Sequence, residues 1–205
     1  WDAAFFNNHY YVYFGVAPVI TYFLPFYAIT GHHLKTVTCI NITMIICVIG
    51  IFLLLKEICK KWFKNVNLGA FIAIFLLFIN ASGILSIMGR PDHYSLPIFM
   101  AIMFSIYGLY WWFKAIDKDM NAKYLFLGSL CMASVAACRP QILLTSFFAI
   151  PLFFDKIFKE RKLFSKDSIK ETVAFVLPYF LIAIPLMIYN HVRFGSFTDF
   201  GANYN

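Results

Sequence analysis

Long apolar runs, separated by short loops rich in lysine, dominate the pattern along the chain. A helix needs roughly 20 apolar residues to cross a hydrocarbon core of about 30 Å. Four runs meet this length, at residues 37–55, 68–88, 96–113 and 172–191. The pattern predicts a transmembrane helix over each of them, and therefore an all-α, polytopic helical bundle that forms a single transmembrane domain over residues 1–205.

A fifth apolar run, residues 12–30, contains Gly15, Pro18 and Pro25. Proline removes a backbone donor and clashes with the preceding turn, so this run is not predicted to be one straight helix. It can span the membrane with kinks or lie as a broken helix at its surface, and the pattern leaves both open. The residues before it are rich in Trp, Tyr and Phe, which is typical of headgroup depth. We expect an N-terminal interfacial segment there.

The stretch 124–154 is too long for one straight crossing, because its 31 residues would extend about 46 Å. Arg139-Pro140 interrupts it near the middle, and helices usually stop before a proline. The alternative is a hairpin of two short helices, residues 124–138 and 141–154. Loops 56–67, 114–123 and 155–171 hold four, three and six Lys or Arg residues. They share one side only if this stretch is a hairpin, and basic loops are usually cytoplasmic, so the sequence predicts the hairpin at Arg139-Pro140.

Composition supports the membrane assignment, with 61% hydrophobic and 13% charged residues. Soluble domains are about 25% charged, so a water-soluble protein is excluded. The net charge of +7 is accounted for by the basic loops and does not indicate a nucleic-acid partner. The five cysteines have no metal-binding spacing, and no cofactor motif is present. No metal site is predicted; the use of a divalent metal ion and the oligomeric state are left open.

Arg139 is the sharpest candidate for chemistry. Arms of about 15 residues reach roughly 22 Å, so the hairpin tip is predicted to lie below the outer membrane surface. An arginine at that depth costs about 2.5–3.5 kcal/mol on insertion scales and is a functional-site candidate. Pro140 is suited to open a helix, whose free N–H groups would add to an anion pocket. The alternative is an arginine that extends to the headgroups.

The connector 90–94 is the second candidate. Arg90, His93 and Tyr94 are candidate substrate-binding residues, and Asp92 is a weak candidate for a general base. A solvated turn between two helices would also explain these residue types.

Several segments together resemble bacterial GT-C-type membrane glycosyltransferases, the relatives of protein mannosyltransferases and aminoarabinose transferases. The first runs from Tyr10 through Pro18 and on to Gly31. The second is Ala137-Cys138-Arg139-Pro140-Gln141, which resembles the family's element of a helix, a basic residue and a short helix. The third extends from Tyr189 through Ser196 to Tyr204. The resemblance covers most of the chain and favours a non-spanning role for residues 12–30.

The resemblance implies transfer of a sugar from a polyprenyl-phosphate donor to an acceptor outside the cytoplasm, in the bacterial cytoplasmic membrane. It also implies that the chain is a piece of a larger module, with a first helix and first outer loop before Trp1. That loop would hold the acidic catalytic base, so the catalytic residue is unknown here. Tyr11, Arg139 and Arg193 join the connector residues as candidate substrate contacts. The alternative function is a non-catalytic transporter, flippase or scaffold that binds a lipid phosphate.

Overall fold

The computed structural model describes residues 3–12, 15–89, 92–201 and 204. Helices make up most of this part of the chain. The α-helices are α1 (Leu24–Thr30), α2 (Thr36–Trp62), α3 (Leu68–Ala81), α4 (Ile84–Met88), α5 (Ser95–Asp117), α6 (Ala122–Ser134), α7 (Ala149–Phe158) and α8 (Ile169–Phe194). A π-helical turn, Val19–Phe23, leads into α1, and 3-10 segments, Pro140–Phe148 and Lys166–Ser168, precede α7 and α8.

Helix α5 lies at the centre of the bundle, packed between α2 and α6, and α6 packs in turn against α8. Glycines allow the close approach of these helices. A Cβ added at Gly128 of α6 would lie 2.3 Å from Cδ1 of Trp112 in α5. Trp112 is fully buried there and its Nε1 donates to the hydroxyl of Ser129 at 3.3 Å. Small residues at helix contacts are the usual means of close packing within membranes.

Among the described residues, four helical segments are long and apolar enough to cross a membrane: Thr36–Trp62, Ser95–Asp117, Pro140–Phe158 and Lys166–Phe194. The first, second and fourth contain the predicted spans 37–55, 96–113 and 172–191. Many large hydrophobic side chains of Thr36–Trp62, Pro140–Phe158 and Lys166–Phe194 are exposed, which suits contact with lipid rather than water, while those of the central Ser95–Asp117 are covered by its neighbours. The chain is therefore a helical membrane protein.

The predicted span 68–88 is broken in the structure. Helix α3 ends at Ala81, and α4 starts after Gly83, whose φ of 74° lies in the left-handed region. Before the break, the Ser82 hydroxyl donates to the carbonyl of Ile79 at 2.7 Å. The 14 residues of α3 reach about 21 Å, which is short of the roughly 30 Å core. The expectation of one continuous helix over 68–88 was wrong, because Gly83 ends the helix.

The stretch 124–154 also does not form one helix. Helix α6 ends at Ser134, Arg139 has an extended backbone with φ of −148°, and Pro140 begins the next helical segment. Across this break the Thr145 hydroxyl lies 3.9 Å from the sulfur of Met132, so the two arms run side by side.

The second arm is longer than the sequence suggests. It runs from Pro140 to Phe158 and comprises 19 residues. Its first half is 3-10, with a larger rise per residue, so it extends roughly 33 Å. The expectation of a short second arm was wrong, and this segment is long enough to cross a membrane.

The N-terminal segment contains a short β-hairpin, while the described chain as a whole is consistent with the predicted all-α class. Strands β1 (Ala4–Phe6) and β2 (His9–Tyr11) pair antiparallel, with Ala4 opposite Tyr11. Asn7 and Asn8 form the two-residue turn with φ values of 49° and 62°. Two positive φ values are the signature of a type I′ turn, for which asparagine is well suited.

The helical segment Val19–Thr30 that follows the hairpin is too short to span. It comprises 12 residues, whereas a helix needs roughly 20 to cross the hydrocarbon core.

The basic loops meet at one end of the bundle. Lys61, in the last turn of α2, forms an ion pair of 3.5 Å with Asp117 at the end of α5. Lys162, in the loop before α8, pairs with Asp119 after α5. The turn before Arg139 lies at the opposite end, where the backbone N–H of Ala17 donates to Ala137 at 3.0 Å.

Candidate functional site

A cavity of about 500 Å³, with several polar side chains in a mostly apolar wall, lies at the end of the bundle opposite the basic loops. It is bounded by the segment after the β-hairpin, the turn around Arg139, the C-terminal end of α8 and the loop that follows α8. The lining residues are Gly15, Val16, Ala136, Ala137, Cys138, Arg139, Pro140, Gln141, Leu186, Tyr189, Asn190, Arg193, Thr198, Asp199 and Phe200. We call this space the Arg139 cavity.

Backbone contact between two of these segments shapes the cavity wall. A Cβ added at Gly15 would lie 2.0 Å from the carbonyl oxygen of Cys138 and 2.4 Å from that of Ala137. No side chain fits there, so the glycine allows the two backbones to touch. The hydrogen bond from Ala17 to Ala137 then fixes the N-terminal segment against the turn.

Arg139 lies at the junction of the two arms of the hairpin, and it is half-buried. Its backbone N–H donates to Val135 at 2.9 Å, and its carbonyl accepts from Ile142 at 3.0 Å. Pro140, the first residue of the following helical segment, has no N–H to leave unpaired. The guanidinium and the positive end of that segment belong to the same cavity wall, and both favour an anion.

Arg193, near the end of α8, lines the same cavity but is already engaged. Its Nη2 donates to the carbonyl of Val12 at 2.7 Å. Its guanidinium also lies 5.0, 4.8 and 4.8 Å from the ring centres of Tyr11, Tyr189 and Phe194. Through these contacts Arg193 holds the end of α8 against β2. Its guanidinium has further N–H groups that can donate to a ligand.

Contacts between aromatic rings hold the same segments together. Phe194 lies 5.4 Å from Tyr11 and 5.5 Å from Tyr204, measured between ring centres. Phe6 lies 4.7 Å from Tyr204. The β-hairpin, the end of α8 and Tyr204 are thus held together by rings, and Tyr11 acts here as a packing residue.

A second cavity of about 700 Å³ adjoins the first, and its wall is also mostly apolar. The two share Gly15, Val16, Tyr189 and Arg193 in their walls. The remaining lining residues are Ala3, Tyr10, Tyr11, Val12, Pro18, Val19, Phe23, Thr36, His93, Tyr94, Leu96 and Pro97. His93 and Tyr94 therefore line this second cavity and do not line the Arg139 cavity. Arg90, the remaining candidate of the connector, lies outside the described residues.

Asp92 acts as a helix cap. Its Oδ1 accepts hydrogen bonds from the backbone N–H groups of Tyr94 at 3.0 Å and Ser95 at 2.7 Å, at the start of α5. A hydrogen bond from the Ser95 side chain lowers the pKa of Asp92 further. Asp92 is not among the residues that line either cavity. This arrangement matches the alternative of a solvated turn and gives no support to a general base.

The structure adds polar residues that the sequence analysis does not select. Asn190 is 2% exposed, and its Nδ2 has no hydrogen-bond partner within the described part of the chain. Asp199 accepts from the N–H of Gly201 at 2.7 Å, and its hydrogen bond with Tyr204 raises the pKa of that phenol. Both residues belong to the segment from Tyr189 to Tyr204 that carries the resemblance, but their local sequence does not mark either as a site residue. Their role depends on the packing of distant segments around one cavity.

In the described ranges, no three His, Cys, Asp or Glu residues are grouped so that they could hold a metal ion. Comparison with protein-family models, curated proteins and solved structures finds no match.

Proposed function

We propose that this chain is the membrane module of a GT-C-type glycosyltransferase, which binds a polyprenyl-phosphate-linked sugar in the Arg139 cavity. The observation that carries the proposal is the position of Arg139, in the wall of a cavity that Arg193 also lines and beside the start of a 19-residue helical segment. The guanidinium forms paired hydrogen bonds with phosphate oxygens, and helix N-termini add donors and positive potential. The order of the resembling sequence segments agrees with this assignment.

The adjoining cavities suit an amphiphile. The Arg139 cavity offers cations and amides, while the second cavity offers Val19, Phe23 and Leu96. A lipid phosphate joins a charged group to an apolar chain, and such a ligand matches two adjoining spaces whose walls are mostly apolar and include Arg139 and Arg193. A free sugar or nucleotide would leave the apolar walls of the second cavity unmatched.

The proposal places the basic loops in the cytoplasm and the cavities on the outer side of the bacterial cytoplasmic membrane. Thirteen of the 17 Lys and Arg residues lie in the loops 56–67, 114–123 and 155–171. Short loops with this bias remain cytoplasmic during membrane insertion. The donor would then be reached from the outer leaflet, and the acceptor from outside the cell. In the N-terminal interfacial segment, the proposal places the β-hairpin and Val19–Thr30 at the membrane surface.

The second candidate function is a transporter, flippase or scaffold that binds a lipid phosphate without chemistry. The capping role of Asp92 favours it, since this carboxylate is committed to the start of α5. The candidates share the phosphate site and differ in whether bound donor is consumed.

Binding of undecaprenyl phosphate to the purified chain in lipid nanodiscs tests the shared site. Hydrogen bonds to charged groups contribute roughly 1.5–3 kcal/mol each, so Arg139→Ala should weaken binding at least about tenfold. Arg139→Lys keeps the charge but loses the paired geometry, and should cause a smaller loss. Arg161→Ala removes an equal charge from an exposed residue of the basic loops and is the matched control.

The proposal requires that undecaprenol, which lacks the phosphate, binds wild type and Arg139→Ala equally. Equal affinity of wild type, Arg139→Ala and Arg161→Ala for undecaprenyl phosphate would refute a phosphate site at Arg139. Consumption of undecaprenyl-phosphate mannose, with transfer of the mannose to an acceptor, would distinguish the enzyme from the non-catalytic alternative.

A further inference from the structure

Asn190 is a buried amide with an unused donor. It lies near the outer end of α8, is 2% exposed and belongs to the wall of the Arg139 cavity. No described residue accepts a hydrogen bond from its Nδ2. Buried polar side chains in folded proteins almost always have a partner. An amide donor left unpaired beside a cavity therefore indicates a ligand atom that completes it.

The other residues that line the cavity indicate what kind of ligand atom would accept this hydrogen bond. The same cavity wall contains the carboxylate of Asp199 and the amide of Gln141. A carboxylate accepts hydrogen bonds and repels an anion, so the whole set of lining residues does not suit a phosphate alone. Hydroxyl groups both donate and accept, and they match a mixture of amides and a carboxylate. Phosphate oxygens match the cations at Arg139 and Arg193 instead.

We propose that Asn190 donates a hydrogen bond to a hydroxyl oxygen of the sugar in a polyprenyl-phosphate-linked sugar. This inference rests on the proposed function, and it divides the cavity between two parts of one ligand. Arg139 binds the phosphate that every polyprenyl phosphate carries. Asn190 binds the sugar, and so it discriminates glycosylated from unglycosylated lipid.

The test compares the affinities of two probes for the same variants in nanodiscs. The probes are undecaprenyl phosphate and undecaprenyl-phosphate mannose. Asn190→Leu keeps the approximate volume and removes the donor, and Asn190→Ala removes it without adding bulk to the cavity. Asn80→Leu is the matched control, because the Asn80 amide is exposed and donates to the carbonyl of Leu76 at 2.7 Å.

We expect both Asn190 variants to bind undecaprenyl-phosphate mannose about tenfold more weakly than wild type, while their affinity for undecaprenyl phosphate changes less than about twofold. Asn80→Leu should match wild type with both probes. Without ligand, Asn190→Leu should melt at or above the wild-type temperature, because it replaces an unpaired buried donor by an apolar group. A merely structural amide would lower the melting temperature instead.

Equal affinity of wild type and both Asn190 variants for the mannose lipid would overturn the inference, as would an equal loss for both probes. A lower melting temperature of unliganded Asn190→Leu and Asn190→Ala, without a difference between probes, would also overturn it. If wild type binds neither probe, the proposed function fails, and the inference that rests on it fails too. If wild type binds undecaprenyl phosphate through Arg139 and the Asn190 variants do not discriminate, the proposed function stands and the inference alone fails.

Discussion

Replacing Gly15 by alanine should separate two segments that form the wall of the Arg139 cavity. The new Cβ would lie 2.0 Å from the oxygen of Cys138, where ordinary contacts begin at 3.4 Å. The nearest atoms belong to backbone, so no side-chain rotation relieves the clash. The turn at Ala137 and Cys138 has to retreat by more than about 1 Å, and the hydrogen bond from Ala17 to Ala137 is stretched or lost.

The expected cost follows from these two effects. Overpacking in a well-packed region costs typically about 1–3 kcal/mol. Loss of the backbone hydrogen bond between Ala17 and Ala137 adds roughly 0.5–1.5 kcal/mol. The free energy of unfolding should therefore fall by about 2–4 kcal/mol. For a chain of this size, each kcal/mol corresponds to about 2–4 °C in melting temperature, so the melting temperature should fall by at least about 4 °C.

Thermal unfolding of the purified protein in detergent, followed by tryptophan fluorescence, measures this change. Gly69→Ala is the matched control, because a Cβ at Gly69 meets nothing closer than the Asn67 side chain at 3.4 Å. Alanine is also the better helix former there, so the control should be neutral or slightly stabilising. Melting temperatures for Gly15→Ala and Gly69→Ala that both match wild type would refute the backbone contact at Gly15.

Two further predictions concern Asp92 and the orientation of the chain. Hydrogen bonds at the start of α5 lower the pKa of Asp92 in the folded state. The ionised carboxylate therefore stabilises the fold above its unfolded pKa of about 4. This stabilisation is lost as the pH falls through the lower pKa of the folded state. Asp92→Ala should lower the free energy of unfolding by about 0.5–2 kcal/mol at neutral pH. Asp92→Asn should keep the cap, and its stability should fall less steeply than that of wild type below pH 4. Identical melting curves for wild type and both variants from pH 3 to 7 would contradict the cap. In a cysteine-free background, an impermeant maleimide added to intact cells should label Phe197→Cys but not Lys118→Cys or Lys162→Cys, and equal labelling of all three positions would disprove the proposed orientation.

The long helices could be predicted because local sequence decides them. Uninterrupted apolar runs form the interiors of α2, α5 and α8, and hydrophobicity over about 20 residues needs no knowledge of neighbours. The break at Pro140 follows equally from local geometry. Gly83 and the Asn7-Asn8 pair are local signals of the same kind. Gly83 ends α3, and Asn7 and Asn8 form the turn of the β-hairpin. The surrounding apolar and aromatic residues dominate the pattern, so neither signal enters the prediction.

The candidate site could be predicted less completely, because it depends on contacts between distant parts of the chain. Arg139 was selected from its own segment, by the cost of an arginine within an apolar stretch. Asn190 and Asp199 have ordinary local surroundings, and their relation to Arg139 arises when α8 packs beside α6. Arg193 was selected as a ligand contact, yet much of its guanidinium surface is used by Tyr11, Tyr189 and Val12. Such competition between packing and binding is invisible without the fold.

The contact between Arg193 and Val12 also has a consequence for biosynthesis. Its partners are 181 positions apart in the chain. Closing a free loop of that length would cost about 4–5 kcal/mol in chain entropy, which is about what one hydrogen bond from a charged group and three cation–π contacts contribute, so the contact alone gives little net stability. The contact must wait until α2, α5, α6 and α8 have packed and brought the two ends together. The cavities that share Arg193 are therefore completed last, after the ribosome has delivered α8 to the membrane.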